Sequence, residues 1–174
     1  MFQEAIAQYL KQNHYESIQL KSVLFDMDGV LFDSMPYHAE AWHKTMKAHG
    51  LNLSREEAYL HEGRTGAGTI NIVCQRQLGR DATQEEIESI YLEKSIEFNK
   101  HPQAERMPGA WELLQKIKAE GIIPTVVTGS GQASLLDRLE HNFPGMFRQE
   151  LMVTAYDVKY GKPIPEPYLM ALEK

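Results

Sequence analysis

Two carboxylates two residues apart, Asp26 and Asp28, follow the apolar run Val23-Leu24-Phe25 and precede Gly29-Val30. A run that is apolar throughout suits a strand buried on both faces, and open α/β sheets bind ligands beyond the carboxyl ends of such strands. One carboxylate of such a pair can attack an electrophile while the other carries a proton. The same spacing opens an EF-hand loop, but that loop would need an oxygen ligand at Val30 and an acid at Tyr37, and the chain has neither.

Two later segments offer groups for an anion. Val126-Val127-Thr128-Gly129-Ser130 reads as a second buried strand ending in a hydroxyl and small residues. The Thr128 hydroxyl and the amides of Gly129 and Ser130 could cradle phosphoryl oxygens. Taken alone, the segment is equally an ordinary βα turn with Ser134 capping the next helix. Further on, Lys162 sits in Gly161-Lys162-Pro163-Ile164-Pro165-Glu166-Pro167-Tyr168. Prolines on its far side would fix the turn and keep the ammonium aimed at one place. A nucleophile, an anion cradle and a fixed cation are what phosphoryl transfer asks for.

The elements that must position these groups alternate. Ser34 to His49 has helical spacing and stops at Gly50; Ser54 to Glu57 and Thr83 to Glu86 fit the capping-box pattern; Ala67 to Gln77 lies between them as another helix. Nothing from about 34 to 103 reads as a strand. A helix from Ala110 to Glu120, a strand from Ile122 to Val127, a helix from Ser134 to His141, a short strand at Leu151-Met152-Val153 and a helix from Pro165 to Lys174 follow. Such alternation implies parallel βαβ units. The expected fold is α/β, a Rossmann-like parallel sheet with a small all-helical cap inserted after the first strand. The expected division is an N-terminal helical extension at 1–20, a core at 21–35 and 103–174, and a cap at 36–102.

The 174 residues are 43% hydrophobic with a formal net charge of -6, and the basic residues are scattered, which argues against a nucleic-acid partner. Cys74, the only cysteine, lies among Ile70, Val73 and Leu78 at helical spacing and reads as a core thiol. Phe2, Ile6, Tyr9 and Leu10 form one stripe, so the N-terminal helix is expected to pack on the main domain. Charged residues at Glu4 and Lys11 do not suit a signal peptide, and no segment approaches membrane-spanning length. A cytoplasmic monomer without a membrane partner is expected.

Asp26-Met27-Asp28-Gly29-Val30, then Thr128, then Lys162 in KPxPxxY resemble the three successive motifs of the haloacid dehalogenase superfamily. Asp33-Ser34 and Tyr37-His38-Ala39-Glu40-Ala41-Trp42 are similar to the β-phosphoglucomutase-like group of that superfamily. The resemblance implies Mg²⁺-dependent phosphoryl transfer on a small sugar phosphate through an aspartyl phosphate, as a phosphatase or a β-phosphoglucomutase. Asp26 would be the nucleophile, and Mg²⁺ would take the Asp26 carboxylate and the Asp28 carbonyl. The Asp28 side chain would be the general acid and base. Thr128, Gly129, Ser130 and Lys162 would bind the transferred phosphate, while His38, Gly63, Arg64 and Thr65 would meet the substrate. Trp42 is simply core on its own spacing, and His38 reads as a packed surface histidine.

In the mutase, basic residues grip the distal phosphate at the positions held here by Glu62 and Gly66, so the resemblance implies hydrolysis at least as readily as isomerisation. It also implies a fourth, acidic motif beyond Lys162 and later strands beside the first one, which suggests a piece of a longer polypeptide. An inactive fragment or a sugar-phosphate-binding module of the same fold is the alternative.

Overall fold

The computed structural model describes every residue except Met1 and Gln132, and side chains other than those two and those of Phe2 and 133–136. Two strands, β1 (Ser22–Phe25) and β2 (Ile123–Val126), pair in parallel with Phe25 opposite Val126. The Val127 amide donates to the Phe25 carbonyl at 2.8 Å, so Asp26 and Thr128 leave the sheet side by side. Parallel neighbours need a crossover, and here it holds five helices: α2 (Met35–Ala48), α3 (Arg55–Leu60), α4 (Gly66–Leu78), α5 (Gln84–Asn99) and α6 (Ala110–Ala119). After β2 come α7 (Ala133–Asn142), a 3-10 turn at Gln149–Leu151, and α8 (Glu166–Glu173); α1 (Phe2–Asn13) precedes the sheet. This is the expected Rossmann-like α/β architecture with a helical insertion.

The insertion leaves and returns at one place. The Asp33 amide donates to the Glu105 carbonyl and the Met107 amide to that of Leu31, both at 2.9 Å. Two apolar clusters result. One joins Phe25, Leu31, Phe32, Leu114, Val126, Leu139 and Phe143; the other joins Met46, Leu53, Ile70, Val73, Cys74 and Ile90 within the insertion. Cys74 is buried there, as its spacing indicates.

Four expectations are corrected. Leu151-Met152-Val153 is not a strand: it enters from the 3-10 turn, and only Val153 bridges, in parallel, to Val127. The Thr125 hydroxyl, donating to the Leu151 carbonyl at 2.9 Å, holds that segment in place of a ladder. Helix α1 forms, but Ile6 and Tyr9 are each 50% exposed, so the stripe does not dock on the main domain. At α3, Ser54 caps the Glu57 amide, but the reciprocal half of the box is absent because Glu57 pairs with Arg76. Thr83 and Glu86 form the full box at α5. Helix α7 begins at Ala133, which puts Ser134 inside it rather than at its cap, and the Ser134 side chain is outside the described residues.

Candidate active site

The turn after β1 is tightly wound: the Leu31 and Phe32 amides both donate to the Met27 carbonyl, and Gly29 sits at φ +76°, where only glycine is unstrained. The turn sends the two carboxylates different ways. Asp26 Oδ1 accepts from the Met27 amide at 2.8 Å and its Oδ2 meets Lys162 Nζ at 2.8 Å. The Lys162 turn is held by Glu166, whose carboxylate accepts from the amides of Lys159 and Tyr160 at 2.8 and 3.1 Å, and Lys162 Nζ lies 5.5 Å from the centre of the Tyr168 ring.

Asp28 turns inward, 5% exposed. Its Oδ1 accepts from the Ser34 hydroxyl at 2.5 Å and meets His38 Nε2 at 3.0 Å. His38 Nδ1 in turn lies 2.8 Å from Nζ of Lys94, a lysine buried on α5 among the rings of Trp42, Tyr91 and Phe98. A neutral imidazole with its proton on Nε2 donates to Asp28 and accepts from Lys94. Burial, and then the Lys94 charge, hold the His38 pKa below its ordinary value. Burial also lowers Lys94, to about 8, against the pull of Asp28 and Glu62. For Asp28, burial pushes upward, but the His38 contact, the Ser34 hydrogen bond and the Lys94 charge outweigh it and bring the pKa to about 2. At neutral pH Asp28 is therefore a carboxylate, the form that can accept a proton.

Thr128 is buried at the end of β2, and its Oγ1 accepts from the Ser130 amide at 3.0 Å. That amide, expected to face an anion, is thus already engaged within the turn, because Thr128 folds its hydroxyl back over it. The loop of the insertion closes on this end of the sheet. A Cβ on Gly129 would lie 2.5 Å from the Gly63 carbonyl oxygen and 2.6 Å from that of Arg64, and one on Gly161 would lie 2.6 Å from the Thr65 amide. A Cβ on Gly63 would meet Lys162 Cδ at 2.9 Å.

The cleft left between is lined by Asp28, Glu62, Arg64, Tyr91, Lys94 and Ser130, among others, and its volume is about 30 Å³, room for one or two waters. Arg64 Nε is buried with no hydrogen-bond partner among the described residues. Burial and then the Asp28 charge raise the Glu62 carboxyl to about 7, although the residue keeps an exposed flank.

Of the sequence-derived candidates, Asp28, Gly129, Ser130, Gly63 and Arg64 line this cleft, while Asp26, Thr128 and Lys162 stand beside it at the strand ends. Besides the Ser130 amide, two do something other than expected. His38 is buried, not superficial, and both ring nitrogens are engaged, so it supports Asp28 and has none left for a substrate. Thr65 Oγ1 accepts from the Gly68 amide at 3.1 Å and caps α4. Lys94 and Glu62 were missed as working groups. The signal for Lys94 was present: it falls between Ile90 and Phe98, one turn from each, on the buried side of α5.

Magnesium takes one or two carboxylates and completes its octahedron with water and substrate phosphate. The residues present fit it in kind, with the partly exposed Asp26 carboxylate and the Asp28 main-chain carbonyl as hard oxygen donors. The Asp28 side chain faces Ser34 and His38 and is not among those donors. Among the described residues no group of three His, Cys, Asp or Glu could hold an ion by itself.

A parallel α/β sheet with carboxylates, a hydroxyl and a lysine converging at its carboxyl end, under a helical insertion, defines a class of phosphoryl-handling folds. The family model of the haloacid dehalogenase-like hydrolases matches residues 20–174, and the chain belongs to that family. A solved Bacteroides vulgatus protein provisionally described as a β-phosphoglucomutase is 70% identical, with a TM-score of 0.93 over 99% of this chain and 70% of its own. Hexitol phosphatase A of Escherichia coli is 32% identical over 156 residues, 90% of this chain and 69% of its own. Pyrophosphatase PpaX of Oceanobacillus iheyensis is 26% identical over 158 residues, 90% and 70% respectively.

Proposed function

We propose that this chain is a Mg²⁺-dependent phosphohydrolase that takes the phosphoryl group of a small sugar or polyol phosphate onto Asp26. The observation that carries the reading is Lys162 Nζ at 2.8 Å from Asp26 Oδ2, beside a second carboxylate whose proton-accepting state is fixed by His38, Ser34 and Lys94. Asp26 attacks phosphorus as the bond to the sugar oxygen breaks, the leaving oxygen takes its proton through Asp28, and Asp26 becomes an aspartyl phosphate; Lys162, the Thr128 hydroxyl and the Gly129 amide hold the equatorial oxygens. Asp28 then accepts a proton from the water that attacks the phosphoenzyme. A bound Mg²⁺ supplies charge neutralisation for the phosphoryl oxygens. Residues 36–102 act as the cap domain over a core of 21–35 and 103–174, with 1–20 an extension, and Arg64 and Gly63 meet the rest of the substrate. Hydrolysis is favoured over the mutase reaction because Glu62 lies in the cleft where a second phosphate would have to sit.

A second reading concerns the leaving group. With the cap down, the cleft of about 30 Å³ is far below the roughly 300–1,000 Å³ usual for small-molecule sites. A sugar must therefore keep the cap partly raised, whereas a leaving group as compact as phosphate itself, from an inorganic pyrophosphate substrate, asks for less room. One experiment separates the readings. Phosphorus NMR with Mg²⁺ follows hexitol phosphates, β-glucose 1-phosphate with a trace of its bisphosphate, and pyrophosphate. Free phosphate from the polyol or sugar esters supports the first reading, turnover confined to pyrophosphate the second, and glucose 6-phosphate the mutase. Asp26→Asn is expected to lower whichever activity appears by at least about a thousandfold; full activity in that variant would overturn the nucleophile. Affinity without turnover for every substrate would instead mark a binding module or an incomplete enzyme.

A further inference from the structure

We infer that the pocket between the end of α5 and helix α7 is a second site, built for a small oxyanion of the phosphate or sulfate type. It is a cavity of about 440 Å³ lined by Phe98 and His101 on one side and Asp137, Arg138 and His141 on the other. Its residues are not those around Asp26 and Lys162, so the inference stands apart from the proposed reaction.

The guanidinium of Arg138 carries the argument. Its faces are covered by two rings, with Cζ 5.3 Å from the centre of Phe32 and 5.9 Å from that of Phe98. Its Nε and Nη2 are both shut from solvent, and neither has a hydrogen-bond partner among the described residues. Those two nitrogens form one edge of the guanidinium, the parallel fork that takes two oxygens of a carboxylate, phosphate or sulfate. Buried polar groups are nearly always satisfied, so a whole unsatisfied fork asks for a ligand or an ordered water. A second, independent orphan lines the same pocket: Nε2 of His101, whose ring stacks on Tyr37 with centroids 5.1 Å apart. Asp137 is exposed and no ion pair joins it to Arg138 among the described residues, so the fork is not already taken by a carboxylate.

The position of the pocket gives the site a consequence. Phe98, which covers one face of Arg138, stacks on His38 with centroids 4.2 Å apart, and His38 holds Asp28. Phe98 and His101 also lie where the helical insertion returns to the sheet. Occupation of the pocket therefore bears on the ring that packs on His38.

The test uses selenate, whose selenium is located directly by anomalous diffraction. Crystals of the full chain are expected to show a selenium site within hydrogen-bond distance of Arg138 Nε and Nη2, whether or not another appears in the cleft by Lys162. In solution, selenate is expected to move the imidazole NMR signals of His101. Arg138→Lys, which keeps the charge but not the fork, should weaken that response about tenfold, and Arg138→Met should abolish it. Should Arg138→Met fail to fold, His101→Asn, which is expected to lower selenate affinity measured calorimetrically, gives the same comparison. Absence of selenium from the pocket, or His101 signals that move equally in wild type and Arg138→Lys, would overturn the site. Turnover by wild type and Asp26→Asn reads the proposed reaction separately.

Discussion

Asp26 and Asp28 are the same residue type two positions apart, yet their surroundings divide them. Asp26 meets a lysine and stays partly exposed; Asp28 is buried against a hydroxyl and an imidazole. Glu62 adds a third carboxyl whose pKa, raised to about 7 by burial and by Asp28, lies near neutrality. Protonated, it leaves the cleft able to accept an anionic substrate; ionised, it sets a third negative charge beside the other two. Specificity constants are therefore expected to fall as pH rises through about 7, and Glu62→Gln should remove that limb. A pH profile of kcat/KM for both proteins checks this, and an unchanged limb in Glu62→Gln would assign it to another group.

Helix α5 shows what an element contributes beyond its residues. Its capping box fixes where it starts, and its period places Ile90, Lys94 and Phe98 along one buried side, so a lysine is carried into an aromatic box. Lys94 has a folded pKa of about 8 against an ordinary 10.5. Between those values the unfolded chain holds the proton more firmly, so stability is expected to rise with pH across that window, by about 3 kcal/mol from this group. Chemical denaturation at pH 8 and pH 10 should show the rise in wild type and lose it in Lys94→Met. Removing one partner of a buried charge network is destabilising, by about 3–5 kcal/mol, so Lys94→Met should unfold at lower denaturant and lose activity through the unsupported His38–Asp28 pair. Retained activity would make Lys94 a packing residue only.

Across the whole molecule, the two clusters and the loop between them predict separable effects. Gly129→Ala would put a methyl into the carbonyls of Gly63 and Arg64, so it should hold the cap off the sheet, reducing kcat/KM with little change in unfolding free energy. Phe143 is fully buried and packs edge-on to Phe32 with centroids 5.4 Å apart, and Phe143→Ala should cost about 3–5 kcal/mol. Equilibrium denaturation and steady-state kinetics on both variants check the contrast; a Gly129→Ala protein with wild-type kinetics would mean the loop need not touch the sheet. Among the described residues no helix is long and apolar enough to cross a membrane.

The sequence by itself determined the local features. A continuous apolar run makes β1, a glycine after the aspartates makes the turn, capping residues start α3 and α5, and prolines beside Lys162 make a fixed bend. These are decided by neighbours within a few positions, which is why Asp26, Thr128 and Lys162 were legible as a group, and with them the family. What only the tertiary structure decided depends on partners far apart in the chain. His38 and Lys94 are 56 positions apart, and spacing alone could not show that both imidazole nitrogens would be taken. The segment at 151–153 has strand-forming residues, yet one bridge and the Thr125 hydroxyl hold it instead. The stripe on α1 has the right period but no partner face on the domain. Periodicity states which residues want burial; which surface buries them, and which protons and charges then face one another, is set when distant segments pack.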